Sequence, residues 1–504
     1  MNTIATYTGI WRFPLKDSFE DCMGILEITD NGIMRLEIDH SDTLGVNLQR
    51  IDSYPQILGK LNQDTPVTLG DVNLRSTHNF TRSTFLVEKA ILGALVDSFD
   101  EPAFNACIAT YQYLRDWTKP NNIVLSHEGV NPVIKLDFET KNETSHISIE
   151  PDVDAYLWDE VGYNHEMYDY KLYQKSSFNL DSKKGISANK CFEIVNKFSL
   201  FLSLALYRRQ SPSHIIFRCA EQPNYNIYFY FRHKTALEPG YSSLISYKDH
   251  KESIPSILEK WFSSYGDIAP IARYLINGIS REDISEAPDY LCIAQGLDGY
   301  YRRFLRPDCK SSAPFNNVIR EIREHFIGVN VISKCRFWSD SFQAARNYYT
   351  HLLNERTAEK YRLILEQTNL RLLNDKAIIL LTCCVLDFFG FTNDEINKCI
   401  LHSQFAYGKI NYIEHLQSKD DLKTEESYGL IYDYLDTFTE KVDNDYYRNY
   451  TLPDSCEIVL KHEDQKHNDT SNISINGKSI DTYGKEELID IINSLYSGSH
   501  NAKS

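Results

Sequence analysis

An arginine, an asparagine and a histidine lie close together in the segment Ser341–Glu355, which reads SFQAARNYYTHLLNE. A histidine such as His351 titrates near neutral pH and can transfer protons. An arginine such as Arg346 can hold a phosphate with two hydrogen bonds and stabilise the charge that develops during its cleavage. The adjacent Asn347 can orient either group. These residue types are sufficient to break an RNA backbone without a metal ion.

The same Arg-x4-His spacing recurs in the chain, so the surroundings must decide which copy matters. The first of the other copies leaves a predicted strand, the second contains a proline in a predicted loop, and the third is predicted to be a charge-paired surface helix. Only the copy at Arg346 lies within a helix between apolar neighbours, with Asn347 and His351 on one face. Spacing alone does not distinguish it from a structural Arg/His pair that satisfies buried polar groups. The other copies are Arg35/His40, Arg209/His214 and Arg320/His325.

Length and charge limit the possible functions. A chain of 504 residues is too long for one ordinary core, so two or three domains are expected. The net charge of −17 argues against sequence-blind binding of nucleic acid by the whole surface. From Asp289 to Arg371, however, 13 lysines and arginines outnumber 9 acidic residues, which gives a net charge of +4. This segment is either a site for a polyanion or a mixed-charge helical surface.

Nothing in the sequence indicates a metal, a cofactor or a membrane. The 11 cysteines form no CxxC pair and no Cys/His cluster with zinc spacing, a pattern typical of a reducing cytosol. No signal peptide is visible at the first residues. The longest apolar runs, Phe198–Tyr207 and Ala377–Leu386, are far shorter than the ~20 residues that span a bilayer. We therefore expect a cytoplasmic protein with no cofactor, no metal site and no membrane partner.

The first half of the chain is predicted to be rich in β-strands. Cys22–Ile28 and Ile33–Ile38 alternate apolar and polar residues around Asp30-Asn31-Gly32, which is a strong hairpin signal. Val133–Phe138 and His146–Ile149 suggest another hairpin. A buried helix is predicted over Ala188–Arg209. Further strands are predicted at Gln56–Leu61, Val67–Leu74, Thr84–Leu92, Ala106–Tyr113 and Tyr225–Arg232.

The second half is predicted to be helical, with a short mixed tail that contains strands at Glu457–Lys461 and Asn472–Ile480 and a helix at Glu486–Leu495. The fold class is therefore α+β, with a β-rich region at 1–285, a helical bundle at 286–405 and a C-terminal α/β extension at 406–504. The predicted helices are Tyr290–Leu305, Pro314–Phe326, Asp340–Asn354, Leu370–Phe389, Asp394–His402 and Tyr428–Lys441.

The Arg346-Asn347-x-x-x-His351 pattern resembles the signature of HEPN ribonucleases. More narrowly, the chain resembles the ApeA-like branch, in which an upstream helix carries Gln-x-Leu-Glu followed by aromatic-His-Arg. Gln295–Arg303 is similar, with Asp298 where Glu is usual and Tyr301 where His is usual. Short front-end motifs, among them Gly9–Pro14, resemble the β-rich N-terminal domain of that branch. The resemblance covers about residues 7–135 and 286–405.

The resemblance implies a metal-independent endoribonuclease that acts in abortive defence against phage. Its expected substrate is RNA, with transfer RNA as one candidate, and its expected partners are a second copy of the chain in a homodimer or higher even oligomer and a phage-derived trigger. The implied roles are His351 as general acid/base, Arg346 as phosphate clamp, Asn347 as orienting residue, Asp298 as partner of Arg346, and Arg302 and Arg303 as contacts to the RNA backbone.

Two other functions stay open at this point. The departures at Asp298 and Tyr301 keep a catalytically silent HEPN scaffold possible, one that only dimerises or binds a partner. The second alternative is a ligand-binding β module, although aromatic residues at strand spacing usually form a core. Its aromatic residues would be Trp11, Tyr54, Trp117, Trp158, Tyr225 and Phe229.

Overall fold

The computed structural model divides the chain into two compact units, which combine segments from different parts of the sequence. One unit consists of Met1–Asp283 and Cys383–Tyr407, and the other of Ile284–Thr382 and Gly408–Ser504. The domain limits drawn at 285 and 405 stay a prediction. The structure describes residues 3–14, 18–41, 44, 53–78, 81–119, 123–128, 131–136, 147–166, 169–233, 235–280, 286–308, 313–334, 339–350, 370–417, 447–451, 457–463, 470–475 and 478–479.

The first unit is built mainly of antiparallel strands, which confirms the β-rich first half of the predicted α+β fold. Six of these strands close into a ring in the order β6-β3-β2-β1-β4-β5, because β5 pairs with β6 as well as with β4. The strands are β1 (Thr3–Pro14), β2 (Phe19–Thr29), β3 (Met34–Asp39), β4 (Ser53–Leu61), β5 (Pro66–His78), β6 (Arg82–Leu92), β7 (Phe104–Tyr111), β8 (Ile123–Glu128), β9 (Asn131–Leu136), β10 (Ile147–Glu150), β11 (Val153–Glu166), β12 (Asp169–Ile186), β13 (Pro212–Cys219) and β14 (Gln222–Phe231).

The interior of the ring is an apolar core. Along β1 the side chains alternate, so that Trp11 and Phe13 are fully buried while Arg12 between them is exposed. Gly59 on β4 lies opposite Trp11 in the register. A Cβ atom at Gly59 would come within 2.3 Å of the Trp11 ring, so glycine is required for the indole to fit.

The predicted Asn-Gly hairpin is confirmed, with β2 and β3 pairing on either side of it. Gly32 has a φ of 71°, a left-handed conformation that glycine adopts without strain. A Cβ atom there would lie 1.9 Å from the carbonyl oxygen of Phe231. The hairpin turn therefore depends on glycine for both its backbone and its packing.

The second predicted hairpin is wrong. Strand β9 pairs with β8, and β10 pairs with β11, so the segments around 133–138 and 146–149 do not pair with each other. The pairing of β8 with β9 is more local, with Glu128 opposite Asn131, and short loops cost less conformational entropy to close. The sequence pattern missed β8 and therefore assigned β9 to the wrong neighbour.

The sheet continues from the ring in the order β6-β14-β13-β7-β12-β11-β10. The predicted buried helix is confirmed, and its ring of Phe198 stacks on Phe178 of β12 with centroids 4.0 Å apart. Ser187 caps this helix by accepting from the backbone of Lys190. The described helices of the first 283 residues are α1 (Leu114–Thr118), α2 (Ala188–Leu206), α3 (Ile254–Ser263) and α4 (Tyr265–Ile279).

The second half is helical, as predicted, and strands follow in the tail. The helix predicted at Leu370–Phe389 has those bounds in the structure. The predicted helices at 428–441 and 486–495 lie outside the described residues. The described helices are α5 (Glu286–Tyr300), α6 (Phe315–His325), α7 (Asn330–Lys334), α8 (Ser339–Thr350), α9 (Leu370–Phe389), α10 (Asn393–His402) and α11 (Gln404–Gln417), and the tail strands are β15 (Tyr447–Thr451), β16 (Glu457–Glu463), β17 (Thr470–Ile475) and β18 (Lys478–Ser479).

Helix α9 belongs to both units, because the division falls at Thr382 within it. In the first unit, Phe389 near its end packs edge-on against Phe201 of α2 and lies 6.0 Å from the ring of Trp261 in α3. None of the helices in the described part of the chain combines the length and the apolar character needed to cross a membrane.

Candidate active site

Helix α5 places an acidic side chain inside the second unit, Ile284–Thr382 and Gly408–Ser504, which is called the helical unit below. Leu297, Tyr300 and Tyr301 are buried in the core, and Asp298 lies between them with only 7% of its surface exposed. After Tyr300 the helix widens into a π-helical turn, Tyr301–Leu305, closed by a 2.7 Å hydrogen bond from the Arg306 amide to the Tyr301 carbonyl. Such turns are rare and occur often at functional sites.

Helix α8 carries the Arg-Asn pair of the sequence motif. Its Phe342 and Ala345 are fully buried within the chain. The hydroxyl of Tyr290 on α5 donates a 2.6 Å hydrogen bond to the carbonyl of Phe342, and the two rings lie 6.3 Å apart. This contact anchors α8 against α5 and fixes the position from which Arg346 extends.

Asp298, Arg302 and Arg346 form a charged cluster between α5 and α8. The Nε of Arg302 lies 3.1 Å from both carboxylate oxygens of Asp298. The Nη2 of Arg346 lies 3.8 Å from Oδ2 of the same carboxylate, which is an ion pair rather than a hydrogen bond. The Asp298 side chain is 9% exposed, whereas those of Arg302 and Arg346 are 37% and 30% exposed. The carboxylate is therefore buried, and both guanidinium groups reach the surface.

The guanidinium of Arg346 also lies over the ring of Phe315, with its carbon 4.7 Å from the ring centroid. Phe315 is the first residue of α6 and is buried. A cation above an aromatic face is attracted to the ring without losing its hydrogen-bond donors. Three helices therefore position Arg346: α8 carries it, α5 supplies the carboxylate and α6 supplies the ring.

The positive charge of Arg346 also acts on the hydroxyl of Tyr290. Burial raises the pKa of the Tyr290 hydroxyl well above its usual value, and the nearby charge of Arg346 acts in the opposite direction. The hydroxyl therefore stays protonated at neutral pH, as its donation to the Phe342 carbonyl requires. Among Asp298, Arg302 and Arg346, two positive charges face one negative charge, an arrangement that can attract a phosphate.

The structure places the predicted site residues unequally. It brings Asp298, Arg302 and Arg346 together, and it places the half-buried Asn347 beside Arg346 on α8. Arg303 is exposed, and His351 lies outside the described residues. The roles assigned to these residues stay predictions.

The burial of three further residues in this region bears on the predicted site. Tyr301, where the related motif has histidine, is 2% exposed and belongs to the core. Phe342 and Ala345 are buried within one chain, and the exposed side chains at the end of α8 include Tyr348 and Tyr349.

Two of the other Arg-x4-His copies are placed as expected, whereas Pro212 and His214 of the third lie in strand β13 and not in a loop. Arg320 and His325 are exposed on α6, where Glu321 pairs with Arg306 at 3.0 Å. His40 follows strand β3 and bonds to the Ser83 hydroxyl at 2.8 Å. These copies have no comparable buried carboxylate among their described contacts.

Sequence reasoning missed Tyr290 and Phe315. Neither lies in the motif, and both reach it only through the packing of α5 and α6 against α8. The Pro314-Phe315 pair at a helix start was the only local signal. Within the described ranges, no group of three or more His, Cys, Asp and Glu side chains has an arrangement suited to a metal ion.

Comparison with known proteins identifies the first half of the chain. Residues 6–261 match the family described as ApeA N-terminal domain 1, which covers half of the chain. No match was found among curated proteins, and none among solved structures. The family match covers nearly all of the ring, the rest of the large sheet, helices α1 and α2 and most of α3, and it ends before the helices that carry the charged cluster.

Proposed function

This chain belongs to the ApeA family through its N-terminal domain, and from that we propose that it is a metal-independent endoribonuclease of the HEPN type that acts in defence against phage. The β-rich unit would sense a phage-derived trigger, and the helical unit would cleave RNA, with transfer RNA as one candidate substrate. The protein would work in the cytoplasm.

The observation that carries the proposal is the pairing of one buried carboxylate with two guanidinium groups from different helices. Burying Asp298 is costly unless cations compensate it. Arg302 compensates it through the closer contact, at 3.1 Å, and Arg346 approaches only to 3.8 Å while it rests on Phe315. Arg346 is therefore oriented by its neighbours yet 30% exposed, which suits a side chain that must receive a phosphate.

The chemistry assigns a role to each residue of the motif. His351, which follows α8 in the sequence, would move the proton of the ribose 2′-OH or of the leaving 5′-oxygen. Arg346 would hold the phosphate and stabilise its growing negative charge. Asn347 would orient the histidine or the phosphate, and Arg302 and Arg303 would contact the RNA backbone. The internal 2′-OH then acts as nucleophile, which leaves 2′,3′-cyclic phosphate ends.

The direct test incubates purified protein with total RNA and sequences the new ends, for the wild type and for His351→Ala. We expect cleavage by the wild type in excess EDTA, with cyclic or 3′-phosphate ends, and none by the variant. His325→Ala is the matched control, because that histidine has the same spacing to an arginine on an exposed helix face. Cleavage that requires added Mg²⁺ and leaves 5′-phosphates would refute the mechanism.

A homodimer or higher even oligomer is part of the proposal. One chain supplies one Arg346/His351 pair, whereas cleavage requires a base, an acid and positive charge on the phosphate. Mixing differently tagged wild-type and His351→Ala chains tests this. A shared site predicts that the purified heterodimer has well below half of the wild-type activity. Half activity, or an active monomer by light scattering, would contradict it.

The competing functions predict different results. A silent scaffold would bind its partner but leave RNA intact, and phage protection would then survive His351→Ala. For the ligand-binding β module, four of the six aromatic side chains are core residues: Trp11, Tyr54, Trp117 and Phe229 are at most 3% exposed. Only Trp158 and Tyr225, each about 40% exposed, present a face to solvent.

A further inference from the structure

The first unit contains an open cleft of about 810 Å³ that the proposed ribonuclease chemistry does not use. This volume lies in the range of small-molecule sites, about 300–1,000 Å³. The cleft is lined by α1, the end of α2, the loop at 238–243, Gln174 of β12 and the first residues of α11. All of these residues belong to the first unit.

The walls of the cleft are held by contacts within the unit. The amide of Tyr241 donates a 2.8 Å hydrogen bond to the side-chain oxygen of Gln404. The guanidinium of Arg208 lies 4.1 Å above the ring of Phe405 and donates a 3.1 Å hydrogen bond to the carbonyl of Ile279. The cleft is therefore largely preformed, so a ligand need not order the walls when it binds.

Two cations on the wall of the cleft are available for an anionic group. Arg115 lies on α1, and Lys119 follows the end of this helix in a left-handed conformation. Both line the cleft and both are exposed. Within the part of the chain that the structure describes, neither side chain has an ion-pair partner. A phosphate between them would be bound by two charge-assisted contacts.

The same cleft also contains groups that a simple anion would not suit. The carboxylates of Asp116 and Glu238 repel an anion but accept hydrogen bonds from hydroxyl and amino groups. Burial and these two negative charges raise the pKa of the Tyr113 hydroxyl, so it remains a neutral donor. Tyr241 is 93% exposed and offers an open aromatic face. A ligand that combines a phosphate, hydroxyl or amino groups and a flat ring would use all of these groups.

We propose that this cleft binds a nucleoside phosphate, with the phosphate at Arg115 and Lys119, the sugar or base hydrogen-bonded to Asp116 or Glu238, and the base stacked on Tyr241. The first unit, which contains the ApeA N-terminal domain, would then also bind a nucleotide. Its ligand would touch Gln404 and Phe405, the first residues of α11.

Calorimetric titration of the full-length protein tests this without measuring RNA cleavage, so its result is independent of the proposed nuclease. The probes are ATP, GTP, CTP, UTP and inorganic pyrophosphate. We expect at least one nucleotide to bind with one site per chain and more tightly than pyrophosphate. Binding should weaken at least tenfold in Arg115→Glu/Lys119→Glu. The control Lys183→Glu reverses the charge of an exposed lysine outside the cleft and should bind as the wild type does.

Tyr241→Ala provides a second, independent variant, because a side chain that is 93% exposed is not needed for folding. Loss of base stacking should weaken binding about 5- to 150-fold, which corresponds to roughly 1–3 kcal/mol. Three outcomes overturn the proposal: no nucleotide binds, pyrophosphate binds as tightly as the best nucleotide, or both cleft variants bind as the wild type does.

Discussion

The β-strand ring and the charged helical cluster bury opposite kinds of side chain. Inside the ring, Trp11, Phe13 and Leu26 are fully buried, and the charge of Arg12 is kept outside in an exposed pair with Asp21. In the helical unit, the carboxylate of Asp298 lies inside and two arginines approach it. Exposed ion pairs contribute about 0–1 kcal/mol, whereas breaking a buried pair costs roughly 3–5 kcal/mol.

The buried carboxylate of Asp298 costs free energy of desolvation that an apolar core does not, so its position points to a role other than folding. Apolar residues of similar volume often replace buried ion pairs with no loss of stability. The described core of the ring is built from apolar side chains, whereas the helical unit keeps a buried ion pair. The buried charge is therefore more informative about function than the larger apolar core.

The largest effect is expected for Arg346→Ala. RNA cleavage should fall by about 10²–10⁴-fold because the phosphate clamp is lost. The free energy of unfolding should change by only about 1 kcal/mol, since Arg302 still pairs with Asp298. The kcat/KM for a cleaved RNA and a urea unfolding curve measure the two quantities. Arg320→Ala, on an exposed face of α6, is the control. Lost stability with retained activity would make the cluster structural and remove the contrast.

The ring predicts the reverse pattern for Trp11→Ala. Emptying the space of a fully buried indole should lower the free energy of unfolding by about 3–5 kcal/mol. The neighbouring Ile10→Ala, at a position 46% exposed, should change it by less than about 0.5 kcal/mol. Urea unfolding followed by fluorescence compares the two variants. Equal effects would mean that the ring interior is less tightly packed than its burial indicates.

Asp298 sharpens the comparison because it is a positioning residue. Asp298→Ala should lower kcat about 10- to 100-fold, as loss of a group that orients a site residue does. Asp298→Glu adds one methylene to the side chain and can shorten the 3.8 Å separation from Arg346, so its kcat should stay within about threefold of the wild type. A purely structural carboxylate predicts no such rescue. Equal kcat values for the Ala and Glu variants would contradict the assignment.

The smallest effect is expected for Phe315→Leu. Leucine keeps an apolar side chain at this buried position but removes the aromatic face under Arg346. A cation–π contact contributes roughly 0.5–1 kcal/mol, so cleavage should fall about two- to fivefold. Phe326→Leu, a buried phenylalanine beyond the end of the same helix, is the matched control for the loss of ring volume. An equal fall in both variants would assign the effect to packing.

Local patterns in the sequence predicted much of the fold. The Asn-Gly turn and the 3.6-residue periodicity of α9 depend on neighbouring residues, and both elements are found where predicted. The long hairpin of β11 and β12 was missed because its strands include polar stretches such as Asp181–Lys184, which hide the alternation. The two strands are stabilised by pairing with each other, and β12 also by pairing with β7, rather than by the strand propensity of their residues.

Only those residues of the candidate site that lie within the sequence motifs were predicted. The surroundings of the motif and the family resemblance pointed to Arg346, and the resemblance alone pointed to Asp298 as its partner. Their approach, and the place of Phe315 beneath Arg346, depend on how three helices pack, which no spacing along one helix encodes. Tyr301 shows the converse, since it occupies a motif position where histidine is usual but its burial assigns it to the core.

The shared helix α9 has a consequence for the order in which the protein can fold during synthesis. The first unit needs Cys383–Tyr407, which is translated after the whole segment Ile284–Thr382. Until then the rings of Phe201 and Trp261 lack their contact with Phe389. At about 5–20 residues per second, this interval lasts on the order of 5–20 s. A ribosome that stalls while it translates Ile284–Thr382 would hold a nascent chain whose first unit is unfinished, with apolar surface exposed to chaperones.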